Sequence, residues 1–186
     1  SVIGIDNLNN YYSTKLKISR NNILKKYRNY KFFKSDITDK NKIFRIFKDN
    51  KIDFVINLAA QAGVQYSLKN PFVYVKTNIL GFLNIIEAAK KYNIKKILYA
   101  SSSSIYGSNK KLPFKENQKT DSPISLYAAT KKSNELIANV YSYIFKIKFI
   151  GLRFFTVYGP WGRPDMSLFI FTKNILNNKK IIVYNK

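Results

Sequence analysis

The strongest constraint on this chain is a regular alternation of short β-branched and aromatic runs with longer stretches of helical length. The runs at Val2 to Asp6, Tyr30 to Lys34, Phe54 to Leu58, Lys96 to Ala100 and Lys148 to Arg153 read as buried strands. Helices are expected between them at Thr14 to Lys26, Lys40 to Asp49, Pro71 to Tyr92 and Ser125 to Phe145. A last helix near Ser167 to Asn177 precedes a short strand at Ile181 to Tyr184. A helix between two strands carries the chain back to the edge it left. The order therefore predicts an α/β fold built on a doubly wound parallel sheet. Ligands of such sheets sit beyond the carboxyl ends of the strands. The residues expected there are Asp6, Ser35-Asp36-Ile37, Ala59-Ala60-Gln61, Ser101 to Ser104, and Phe154-Phe155-Thr156.

The length of 186 residues suits one main domain with a real core. The chain opens on Ser1 inside an apolar run, so its N-terminus is expected to be cut. A dinucleotide fold needs a Gly-rich turn to cradle a pyrophosphate, and none precedes Val2. A chain lacking that turn is not expected to turn over alone. Cys and His are absent, which excludes thiol nucleophiles, disulfides, Ser-His triads and zinc sites built from those ligands. No metal is expected. The net charge of +23 invites a nucleic-acid reading, but Lys is spread through every segment and Asn and Ile are comparably abundant. Composition bias accounts for all three, and no nucleic-acid partner is expected. No apolar stretch is expected to reach the roughly 18 residues that cross a bilayer, so the expectation is a cytoplasmic protein with no membrane partner.

Chemistry must then come from Tyr, Lys, Ser, Thr or carboxylates. Tyr127 and Lys131 stand four residues apart, hence on one helix face. A phenol near pKa 10 needs about 4 kcal/mol of preference for its anion to titrate about 3 units lower. A cation at about 4 Å supplies roughly that at an effective dielectric of 20, which yields a base near neutral pH. The spacing recurs at Tyr11/Lys15, Tyr27/Lys31, Tyr30/Lys34, Tyr92/Lys96 and Tyr106/Lys110. Context separates Tyr127/Lys131 from these: small residues lie between the partners, and a Ser-rich strand end lies upstream.

Four segments together resemble UDP-glucuronate 4-epimerases, extended short-chain dehydrogenases of the NAD-dependent epimerase/dehydratase family. They are Asn57 to Val64, Tyr99 to Gly107, Ser125 to Lys131 and Leu152 to Met166. The resemblance implies a Rossmann-like NAD-binding domain over residues 1–158 that lacks its first strand and Gly-rich loop, and the start of a smaller substrate-binding lobe over 159–186. It implies Ser102, Tyr127 and Lys131 as the catalytic set. Asp6 fits the acidic residue that bonds a ribose 2′-hydroxyl and selects NAD. By resemblance Asp36 and Ile37 flank the adenine, Leu58, Ala59 and Ala60 the phosphates, and Asn78 the nicotinamide. Tyr127 and Lys131 also touch the cofactor. Ser102, Ser103, Ser104, Thr156 and Arg163 are the expected substrate contacts, Arg163 with the sugar carboxylate. The longer enzyme is expected to be a homodimer.

The implied reaction is epimerisation at C4 of a UDP-sugar, UDP-glucuronate to UDP-galacturonate, through a 4-keto intermediate. A UDP-glucose 4-epimerase keeps the same mechanism with another substrate. A 4,6-dehydratase ranks lower, because Ser103 and Ser104 stand where that family carries Asp-Glu. A catalytically silent NAD- or RNA-binding domain is the alternative from another class.

Overall fold

The computed structural model describes residues 1–183. Strands and helices alternate as expected: β1 (Val2–Asp6), α1 (Thr14–Leu24), β2 (Tyr30–Lys34), α2 (Lys40–Asp49) and β3 (Val55–Asn57). After α3 (Val64–Lys69) come α4 (Pro71–Tyr74), a π-helical segment (Val75–Gly81) and α5 (Phe82–Lys91), which run as one continuous helix, Pro71–Lys91. Next follow β4 (Lys96–Ser102), a 3-10 turn (Ser103–Tyr106), α6 (Leu126–Phe145), β5 (Lys148–Phe154) and α7 (Ser167–Leu176). Strand order is β1-β2 in one sheet and β3-β4-β5 in the other. The β3-β4-β5 ladder is parallel, with Val55 opposite Ile97 and Ile97 opposite Phe149.

Two compact units divide the chain. One comprises Ser1–Gly4, Leu8–Phe32 and the chain from Thr156 onward; the other comprises Ile5–Asn7 and Phe33–Phe155. The core of the larger unit gathers Ile43 and Phe47 from α2, Phe82, Ile85, Ile86 and Ala89 from α5, and Ile97 and Tyr99 from β4. The α2 residues recur at helical spacing, and Asp39 caps that helix by accepting from the Lys42 N–H at 3.1 Å. At Gly151 a side chain would meet the Tyr99 hydroxyl at 2.6 Å, so glycine lets β5 pass that ring. In the smaller unit Gly4 plays the same part against Tyr30, whose hydroxyl bonds Asn21 Oδ1 at 3.0 Å.

Three expectations need correction. Residues 181–183 carry no strand, and Tyr184 lies outside the described residues. Helix α3 went unforeseen because its six residues are too short to show a periodicity. The third concerns membrane length: Pro71–Lys91 is long and apolar enough to cross a bilayer by length and composition. Half of it is buried within the fold, where Phe82, Ile85, Ile86, Ala88 and Ala89 serve the core.

Candidate active site

Helix α6 presents the chemistry in its first turns. Ser125 caps it, accepting from the Ala128 N–H at 3.1 Å, so Tyr127 falls in the first turn. The Tyr127 ring packs edge-on against Tyr74 with centroids 6.2 Å apart. Among the described residues no protein group accepts the phenol's proton.

Lys131 lies one turn further on, 4% exposed. Its Nζ donates to the Ala100 carbonyl at 2.9 Å, just upstream of Ser102 in β4. Burial alone pushes the Lys131 ammonium down to about 8. That carbonyl takes one of three N–H groups, so the buried ammonium has capacity for further acceptors. Hydroxyl groups of a ribose fit this demand, as neutral acceptors that an ammonium beside a dinucleotide can satisfy.

Ser102 closes β4 and is buried; its Oγ accepts from the Ser104 N–H at 3.2 Å and opens the 3-10 turn. Ser103 and Ser104 sit in that turn, half-buried. Ser102, Tyr127 and Lys131 thus belong to one unit and one sheet edge, with α6 laid against β4.

Asn78 is buried and its amide bonds within the protein: Oδ1 accepts from Gln61 N at 2.8 Å, and Nδ2 donates to Gln61 O and Thr130 Oγ1, both at 3.0 Å. Asn134 Nδ2 donates to the Asn78 carbonyl at 2.7 Å. Asn78 lies in the π-helical segment, so this bond ties that segment to α6. Sequence reasoning missed Thr130 and Asn134, since buried polar residues inside a helix carry no periodic signal.

Asp36 follows β2, and its carboxylate accepts from Asn7 Nδ2 at 2.7 Å and Thr38 N at 2.8 Å. These bonds outweigh burial and hold it below its usual range. Asp6 is exposed at the end of β1, and its carbonyl accepts from Ser35 N at 3.1 Å. Ile37 is in the core, Leu58 is 60% exposed, and Ala59 and Ala60 are half-buried after β3.

Thr156 and Arg163 belong to the smaller unit. Thr156 is exposed. Arg163 grips Asp165 through two bonds, Nε to Oδ1 at 3.0 Å and Nη2 to Oδ2, and Tyr11 donates to the same carboxylate at 3.2 Å. Arg20 holds the Tyr12 hydroxyl at 2.7 Å and the Gly162 carbonyl at 3.0 Å. One edge of the Arg163 fork is therefore committed, leaving Nη1 for another acceptor.

All of residues 1–186 match the NAD dependent epimerase/dehydratase family. The chain belongs to that family. Among curated relatives, UDP-glucuronate 4-epimerase 4 of Arabidopsis thaliana is 50% identical over 98% of this chain and 42% of its own length. The crystal structure of UDP-glucuronic acid 4-epimerase from Bacillus cereus, in complex with UDP-glucuronic acid and NAD, superposes with a TM-score of 0.88 at 35% identity, covering 96% of this chain and 55% of that one. UDP-glucose 4-epimerase from Thermotoga maritima with UDP-glucose reaches 0.85 at 32% identity, covering all of this chain and 58% of that one. The family member thus has the Rossmann-like α/β fold expected from the alternation. The chain spans about half the length of the curated relatives it matches.

Proposed function

We propose that the protein bearing this chain epimerises C4 of a UDP-sugar with NAD as bound cofactor, and that its substrate is UDP-glucuronate. The observation that carries the reading is the buried Lys131, one turn beyond Tyr127 on α6, whose Nζ reaches the β4 carbonyl just upstream of Ser102. NAD, when bound, takes up and returns the hydrogen at C4. Tyr127 removes the proton from the sugar O4 and later restores it, and Ser102 shares that oxygen's hydrogen bond. Lys131 favours the Tyr127 anion by charge and offers its remaining N–H groups to the cofactor ribose. Asp6 and the residues after β2 and β3 hold the adenosine and phosphates, while Asn78 shapes the pocket without lending its amide. Residues 1–158 form the cofactor half and 159–186 begin the substrate lobe.

Substrate choice rests on Thr156 and Arg163. A hexuronate carries a C6 carboxylate, and burying it requires a compensating cation. The free edge of the Arg163 fork suits that task, held in place by Asp165. Arg163→Lys in the full-length protein is expected to lower kcat/KM for UDP-glucuronate by about tenfold, the roughly 1.4 kcal/mol of one charge-assisted bond. Activity on UDP-glucose should change much less. Equal loss of both, or a parent that prefers UDP-glucose, would replace this reading with the hexose epimerase, a class to which the chain is also similar.

A homodimer is part of the proposal. Leu136, Val140, Tyr143 and Ile144 form an exposed stripe at helical spacing on α6, and Phe72, Val75 and Leu80 are exposed on its neighbour. Val140→Glu is expected to convert the full-length protein to a monomer in light scattering; an unchanged mass would remove this face from consideration.

A further inference from the structure

Helix α6 grips the end of β4 at consecutive residues. Lys131 Nζ donates to the Ala100 carbonyl, and one turn along the helix Glu135 Oε1 accepts from Ser101 Oγ at 2.7 Å. The next residue of the strand is Ser102. Glu135 also takes Arg153 Nε at 3.0 Å and Nη2 at 3.1 Å, a two-bond fork from β5. Arg153 is the cross-strand partner of Ser101 in the β4-β5 ladder. Its other nitrogen, Nη1, continues to the Glu116 carbonyl at 2.9 Å and the Tyr106 hydroxyl at 3.3 Å. The Glu135 and Arg153 side chains are only 16% and 22% exposed, so water competes little for these bonds.

An ion pair between α6 and β5 needs nothing from Ser101. The added bond spends a lone pair of a well-shielded carboxylate on the hydroxyl beside Ser102. Locking the Ser101 side chain to α6 fixes the backbone that leads directly into Ser102. Tyr127, Lys131 and Glu135 recur at one-turn intervals along α6, so the same helix face that carries the base holds the strand end.

We propose that Glu135, through Ser101, is a positioning residue that sets the distance between the Ser102 hydroxyl and the Tyr127–Lys131 pair. The proposal rests on the reaction given above for those residues. Glu135 touches neither sugar nor cofactor in this role; it acts by joining helix to strand.

The test uses the full-length protein with Ser101→Ala, which leaves the Glu135–Arg153 pair intact, and Ser101→Thr, which restores a hydroxyl. Two readouts are taken: the rate at which an amine-acylating reagent modifies Lys131, followed by peptide mass spectrometry, and kcat and KM for UDP-glucuronate. Ser101→Ala is expected to speed Lys131 acylation and lower kcat, each by about tenfold, with KM within about twofold and Tm nearly unchanged. Ser101→Thr should return both to the parent values. The harsher Glu135→Gln should show the same kinetic split with a lower Tm, because it leaves the Arg153 charge uncompensated. Parent acylation and parent kcat in Ser101→Ala would overturn the proposal, as would a loss confined to Tm. If the parent turns over no UDP-sugar, the reaction itself is wrong, and the acylation rates alone decide whether Glu135 positions Lys131.

Discussion

Tyr127→Phe is expected to lower turnover by about a thousandfold or more, the upper range for removal of a positioned base. The ring remains, so its edge-on contact with Tyr74 and the first turn of α6 should survive, and Tm should move by only a degree or two, about the effect of a few tenths of a kcal/mol. Only the hydroxyl is lost. No protein group depends on that hydroxyl for a hydrogen bond among the described residues, so deletion leaves no buried partner unsatisfied. The measurement is chromatographic separation of the UDP-sugar epimers, alongside calorimetric titration with NAD. Near-parent epimerisation would remove Tyr127 as the base, and loss of NAD binding with loss of fold would make the phenol structural.

Lys131→Met separates function from stability in the opposite sense. The folded protein holds this ammonium near pKa 8 against an ordinary 10.5, a cost of about 3 kcal/mol at neutral pH. Met removes the buried charge and gives up the bond to the Ala100 carbonyl, worth about 1 kcal/mol. The net expectation for the cofactor-free protein is about 2 kcal/mol of added stability, a Tm rise of roughly 4–8 °C at pH 7. Below pH 8 the lysine is charged both folded and unfolded, so the penalty is complete. Between pH 8 and 10.5 the folded state has released a proton that the unfolded chain still holds, and the stability of the parent rises with pH. The advantage of Lys131→Met should therefore shrink across that window and vanish above it. Turnover should fall by about a hundredfold or more, with weaker NAD binding, because the variant can neither favour the Tyr127 anion nor reach the ribose. A thermal-melt series over pH 6 to about 11 and a kinetic assay read the two halves separately. A destabilised variant at pH 7 would show that the bond to Ala100 matters more than the buried charge.

Much of the frame was legible because periodicity speaks about backbone. Lys40–Asp49 coincides with its expected bounds, and the ends of the other long helices shift by a residue or two, where caps such as Ser125 decide. The proposed set of Tyr127, Lys131 and Ser102 rests on four ordered motifs and not on spacing, which this Lys-rich chain repeats by chance. What stayed hidden is the set of bonds between elements remote in sequence. Glu135 reads as one more charged helix residue until Ser101 and Arg153 are brought to it. Asn78 reads as a lone polar helix residue until Gln61, Thr130 and Asn134 are brought to it. Arg163 was chosen for its fork, and no pattern foretold that Asp165 would occupy half of it.

The π-helical segment Val75–Gly81 has a consequence for how this scaffold tolerates change in length. A π turn is an α-helix carrying one extra residue, and one residue of α-helix corresponds to a rotation of about 100°. The segment therefore acts as an angular offset between the two ends of the helix Pro71–Lys91. Downstream, Phe82, Ile85 and Ile86 face the core; upstream, Tyr74 is buried with its hydroxyl on the Ala62 and Gly63 carbonyls and its ring against Tyr127. Both orientations hold at once only while the extra residue stays. Deleting one residue within 75–81 would restore a regular ladder and swing Tyr74 about a quarter-turn away from the ring it supports. In this helix a single-codon deletion would be more damaging than most substitutions, because it changes the phase of everything before it.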